Sequence, residues 1–324
     1  MEKTMNETLG SPTRHICDEC QKEFITNHED ERFYEIFQVP APKNCPDCRL
    51  QRRLCERNTR CLYYRKCDLT GQQIISQYNT DLPFPVYSID AWGSDRWDGT
   101  TYGRDADFSG PFFEQYKDLL DVVPHLALFN TPGTMQNSDF NNATGYLKNC
   151  YLIAESDFCE DCYYSNLLKK SCDTVDSSVC YECERCYECI DCNSCHSLFM
   201  SQDCSQCSDS YFLKNCSNCK DCIGCMNQRN KQYMIWNTQY TKEEYESRKN
   251  AIRLETRSGL HDVQKQAEEF FGTEPHHALM IERSEECSGD RIYDCKRAVH
   301  CFDVKDLEDC RYCERLSLTC KTCM

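Results

Sequence analysis

The sequence predicts a mainly β fold with small α parts, and three patterns carry that prediction. The first is a period of twelve. From Thr144 to Asn237 the chain falls into the blocks TGYLKNCYLIAE, SDFCEDCYYSNL, LKKSCDTVDSSV, CYECERCYECID, CNSCHSLFMSQD, CSQCSDSYFLKN and CSNCKDCIGCMN, then the partial block QRNKQYMIWN. The eighth place is apolar or aromatic throughout, from Tyr151, Tyr163 and Val175 to Ile223 and Ile235. The first and fourth places are mostly Cys, as at Cys180, Cys183, Cys192 and Cys195. The second pattern is a pair of C-x2-C motifs near the N-terminus. The third is two stretches after residue 240 with helical spacing and clear start and stop signals.

Twelve residues are too few for a strand and a helix together. At about 3.3 Å per residue they span roughly 40 Å, enough for one small closed coil of short strands and corners. Places seven to ten (CYLI, CYYS, LFMS, SYFL) read as the strand. Places eleven and twelve, often Asn or Asp, read as a corner, because these residues tolerate a left-handed backbone. Stacked coils make a narrow β-solenoid with an eighth-place ladder. So tight a coil holds only small side chains, and Cys is small and readily buried. The run from Cys180 to Cys195 at a spacing of three also fits a chain of C-x2-C metal knuckles. Fixed twelves with an apolar ladder favour stacking, and stacked thiols inside it remain able to take up metal.

Length and composition set the frame. The chain has 324 residues, 30 of them Cys, and a net charge of -16. The length predicts two or three domains. The N-terminus, MEKTMNETLGSPTRHICDEC, has no apolar signal region, and no stretch reaches the roughly 20 apolar residues of a membrane span. The expectation is a reduced, cytoplasmic protein with zinc and buried thiols, without membrane attachment. The negative charge argues against a general nucleic-acid coat.

Residues 1–14 read as a disordered tail, and 15–66 as a zinc ribbon with a basic segment. Cys17-x2-Cys20 and Cys45-x2-Cys48 each supply two thiolates, and four in a tetrahedron close around one zinc ion. Such closed sites are structural far more often than catalytic. CDECQKEF, ERFYEIF and KNCPDCR resemble a zinc-ribbon module widespread in bacteria. The whole chain is similar to uncharacterised cysteine-rich, zinc-ribbon-containing proteins of candidate-phylum bacteria, which have an RR-rich segment, a YGRDxDF-PFFEQ segment and a cysteine array. That resemblance implies architecture and no activity.

Residues 67–98 repeat the ribbon in degenerate form. KCDLTGQQII lies over ICDECQKEFI, and LPFPVYSIDAW over VPAPKNCPDCR, so the ligand places hold Cys67, Thr70, Ser88 and Ala91. The resembled family usually keeps Cys there. This copy is expected to hold together by packing, with Tyr87, Trp92 and Trp97 in its core. Between the ribbons, Arg49, Arg52, Arg53, Arg57, Arg60, Arg65 and Lys66 face one acid, Glu56. With Tyr63 and Tyr64 this segment fits phosphate contact and base stacking. A solvated or ion-paired helix face is the plainer reading and is preferred.

Residues 99–143 form a helix and cap region, in which Phe112, Phe113, Tyr116, Leu119 and Leu120 are expected to face the core. The solenoid occupies 144–240. A helical insertion follows at 241–280, opened by the capping box Thr241/Glu244; Leu260, Val263, Ala267, Phe270 and Phe271 share one face of its second helix, and Gly272 stops it. Cysteine-rich repeats resume over 281–324, with Cys301 at place seven and Phe302 at place eight. They break off at Cys320-x2-Cys323-Met324 in mid-pattern, which predicts a truncated sequence or an end covered by another chain.

No phosphate-binding loop, dinucleotide fingerprint, HExxH or GxSxG motif is present. A Cys–His nucleophile pair at Cys195 or Cys301 is expected by chance adjacency alone. The favoured expectation is a non-enzymatic zinc-binding scaffold with an unknown protein partner. The rivals are a thiol-rich metal- or redox-handling protein and, more weakly, nucleic-acid binding through residues 49–66.

Overall fold

The computed structural model describes residues 12–55, 58–315, 320, 321 and 323. Strands dominate, with six α-helices among the described residues. The chain divides into two units, one made of residues up to 57 together with those from 275 on, the other of residues 58–274.

In the first unit, Thr13–Ile16 pairs antiparallel with Glu23–Thr26. Thr13 and Arg14, expected in the tail, therefore belong to a strand, and the rest of the tail up to residue 11 lies outside the described residues. Helix α1, His28–Phe37, begins at Asn27 with a reciprocal capping box to Asp30. Helix α2, Pro46–Cys55, starts on a proline that needs no helical partner for its nitrogen. The C-terminal segment adds short parallel strands. Ile281–Glu282 pairs with Gly289–Tyr293, which pairs with Cys301–Lys305. It forms a sheet of its own, not a continuation of the earlier one. Arg311, 4% exposed, reaches Asp30 at the start of α1.

In the second unit, the hairpin Tyr63–Lys66 and Gln73–Ser76 leads to the short helix α3, Ile89–Trp92. Helix α4 spans Phe112–Leu120, with Pro111 at its cap. Its apolar stripe does not face a core: Phe113 is 81% exposed, and Phe112, Tyr116 and Leu120 are also at the surface. Helical spacing shows that these residues share a face, but it does not show that anything covers that face.

From Met135 onward, parallel strands pair each residue with the one twelve further on. Met135 faces Leu147, Cys180 faces Cys192, Cys192 faces Cys204, and Cys222 faces Met234. The register thus begins before Thr144. The pairs make a seven-stranded and a six-stranded sheet. From Ser178 to Tyr211 each twelve holds two strands, at places five to eight (Glu184–Tyr187) and eleven to two (Ile190–Asn193), instead of one at places seven to ten.

The reason is a period of three. Every third residue from Asn149 to Trp236 has a left-handed backbone, with φ between 49° and 62°. The residue after each of these, from Cys150 to Cys225, is buried. The remaining one points out. Four such turns bring the chain back above itself, so three-residue sides fix a twelve-residue register. Asn and Asp, which visit this region most readily after Gly, fill many corners. The eighth-place ladder is on the outside: Phe199 stacks on Tyr211 with centroids 4.8 Å apart. Two helices cover its end. Helix α5, Lys242–Ile252, starts at the expected Thr241/Glu244 capping box. Helix α6, Arg257–Thr273, packs Val263 and Ala267 with α5's Tyr245 against Ile223 and Ile235.

Candidate metal centre

The four N-terminal cysteines converge. Cys17 follows the first strand, and the tight turn to Gln21, closed by Gln21 N–H donating to Cys17 O at 3.0 Å, brings Cys20 back beside it. Cys45 and Cys48 open α2. The four sulfurs all lie within 4.8 Å of one another. Cys17, Cys45 and Cys48 are buried with Phe24, while Cys20 lies at the surface. Backbone N–H groups already point at the sulfurs, Cys45 N–H to Cys17 Sγ at 3.3 Å and Cys48 N–H to Cys45 Sγ at 3.5 Å. The N–H groups of Cys20, Cys45 and Glu19 hold the Cys17 thiol down to about 6 against the effect of burial. Hydrogen bonding from Cys45 and burial push Cys48 up. Four thiols with donors poised on their sulfurs fit a thiophilic metal ion with no position left open. His15 is not part of this set: its Nε2 bonds to Thr26 Oγ1 at 2.8 Å and its ring stacks on Phe24.

The second copy reproduces the same frame. Gly71 N–H donates to Cys67 O at 2.8 Å, as Gln21 does to Cys17, and Ser88 N–H donates to Cys67 Sγ at 3.3 Å, as Cys45 does. Where the other ligands would stand, Ala91 is buried and Tyr87, Trp92 and Trp97 pack around Cys67. Burial raises the Cys67 thiol, but the Thr70 hydroxyl and the N–H groups of Ser88, Thr70 and Leu69 outweigh it and bring it to about 7.

The thiols inside the parallel stack are organised differently. Each turns its S–H back onto backbone: Cys183 Sγ reaches Tyr181 O at 3.4 Å and Cys192 O at 3.5 Å. Serines at equivalent places do the same, and their Oγ also accepts from the residue twelve further on, as Ser177 does from Cys189 N–H at 3.1 Å. Among the described residues, no three sulfurs of the longer stack gather within metal-binding distance. Two other groups do. Cys310 lies with Cys320 and Cys323, which are joined in a disulfide, and Cys172 lies with Asp173 and Glu184 at the surface.

His196 and His300 form no nucleophile pair with their neighbours. Cys195 and Cys301 are buried at inward places, while His196 meets Glu184 and His300 stacks on Tyr312 at the surface. The basic segment is divided. Arg49, Arg52 and Arg53 lie on α2; Arg57 falls outside the described residues; Arg60 is exposed in the second unit. Arg65 is committed to Asp68 and Asn79 O. Sequence reasoning missed that Tyr34, Phe37 and Tyr312 surround the α2 arginines, because no local spacing links Tyr312 to them.

No protein-family model matches the chain, and no curated protein matches it in sequence. No helix among the described residues is long and apolar enough to cross a membrane.

Proposed function

We propose that this protein is a non-enzymatic, zinc-binding scaffold of the cytoplasm, in which a zinc ribbon and narrow β-solenoids present outward faces to a protein partner. The convergence of Cys17, Cys20, Cys45 and Cys48 carries this reading. Zinc suits a closed set of four thiolates, and a closed set holds structure instead of activating water. The twelve-residue register, the mostly small inward side chains and the outward ladder are what a narrow solenoid needs. A reducing compartment suits 28 free thiols. The reading accords with the resemblance to zinc-ribbon proteins of candidate-phylum bacteria. Against a thiol store for metal, the stacked S–H groups are engaged with backbone carbonyls.

Elemental analysis of the purified full chain tests the proposal. It expects close to one zinc per chain, lost in Cys45→Ser and in Cys48→Ser. Several ions per chain retained in those variants would replace scaffolding with metal handling.

A further inference from the structure

The first unit contains a cleft of about 350 Å³ whose walls are of two kinds. One is charged: Arg49, Arg52 and Arg53 from α2. The other is flat: Tyr34 and Phe37 from α1, and Tyr312 from the C-terminal segment. Pro40, Pro42 and Pro46 extend the flat wall, and among the described residues no acidic side chain lines the cleft.

The three arginines stand out in a chain of net charge -16. No carboxylate among the described residues pairs with any of the three. The buried acid Asp30 is taken by Arg311 and by the cap of α1. Arg49 lies over the Tyr312 ring at 5.3 Å, and its Nε is buried without a hydrogen-bond partner. Three guanidinium groups held together repel one another until an anion joins them. Their planar forks match the oxygens of a phosphate, and exposed Phe37 with the proline faces offers a platform for a flat ring. An acidic peptide would satisfy the arginines and leave those faces empty. The volume stands at the small end of ligand sites, which run from about 300 to 1,000 Å³.

We propose that this cleft binds a nucleotide, its phosphate held by Arg52 and Arg53 and its base laid against Phe37 and the proline wall. Few phosphates are engaged, so binding survives the overall negative charge and depends only mildly on salt.

Fluorescence anisotropy of a fluorescein-labelled uridine dodecamer with the full chain at low salt tests this. The expected result is saturable binding with a log–log salt slope no steeper than about -2, since three arginines neutralise at most about three phosphates of a single strand. The double variant Arg52→Ala/Arg53→Ala should weaken it at least about tenfold. Phe37→Ala, which changes no charge, should weaken it about 5- to 100-fold through lost stacking. All three side chains are exposed, and unchanged metal content and circular dichroism show that the variants fold. Competition by uridine monophosphate assigns the site to free nucleotides, and competition by unlabelled strand alone assigns it to nucleic acid. No saturable binding, unchanged affinity in either variant, or equal competition by polyglutamate overturns the proposal.

Discussion

Arg311 and Asp30 face each other with 4% and 1% of their side chains exposed. Asp30 also accepts from Asn27 N–H at 3.0 Å and from the Tyr312 hydroxyl at 3.3 Å. Burial, with the negative charge of Asp30, pushes that hydroxyl up to about 12, so it stays a donor across the physiological range. Removing one partner of a buried pair leaves the other charge uncompensated, which costs about 3–5 kcal/mol. Arg311→Ala should therefore lower the urea stability of the first unit by that amount, whereas Asp30→Asn/Arg311→Met should recover most of it. A loss below about 1 kcal/mol in the single variant would show that water reaches Asp30. Gly289 is a second sensitive point. Its φ is +130°, and an added Cβ would sit 1.8 Å from the carbonyl oxygen of Cys301. Backbone is on both sides of that collision, so no side chain can rotate to relieve it.

Within one three-residue side, the corner residue donates its N–H to the strand before and the outward residue donates to the strand after. Asp161 N–H reaches Lys148 O at 3.0 Å, and Tyr163 N–H reaches Thr174 O at 2.9 Å. The inward N–H has no backbone acceptor in this scheme and turns to the side chain twelve residues before it, as Leu168 does to Ser156 Oγ and Leu307 to Cys295 Sγ. A small polar inward side chain such as Ser, Thr or Cys can accept one N–H and donate to one carbonyl, whereas Ile153, Leu168, Leu198 and Leu213 fill inward places with apolar bulk alone. Ser177→Ala should cost about 1–3 kcal/mol in urea denaturation, because it strands buried polar groups. Ser177→Cys should cost much less, and equal losses in both would refute this role. The period of twelve was legible because the eighth-place ladder repeats from Tyr151 to Ile235. The period of three beneath it was not, since C-x2-C spacing is the same for a metal knuckle and for two successive inward places. The convergence of Cys17, Cys20, Cys45 and Cys48 was legible from spacing alone. The exposure of Phe112 and Phe113 was not, because periodicity carries no information about a missing neighbour. Native thiol titration checks the inward assignment. Cys55 and Cys61 are exposed and should react at once, Cys20 should follow on chelation, and the buried majority only after denaturation.

Cys17, Cys20, Cys45 and Cys48 belong to the first unit, and their counterparts in the second are Cys67, Thr70, Ser88 and Ala91. The same hairpin frame thus carries four converging cysteines able to hold an ion in one unit and is packed by Tyr87, Trp92 and Trp97 in the other. Where a metal site forms only on folding, its binding free energy is folding free energy. Chelation should therefore weaken the first unit and spare the second. The tryptophans make this measurable, because Trp92, Trp97 and Trp236 all lie in the second unit. With a strong chelator, the urea midpoint followed by tryptophan emission should stay where it is. Hydrogen exchange should meanwhile accelerate in peptides spanning Thr13–Ile16, α1 and α2. If the tryptophan midpoint falls in step with metal loss, the second ribbon copy depends on the ion after all, and packing around Cys67 does not suffice to hold it.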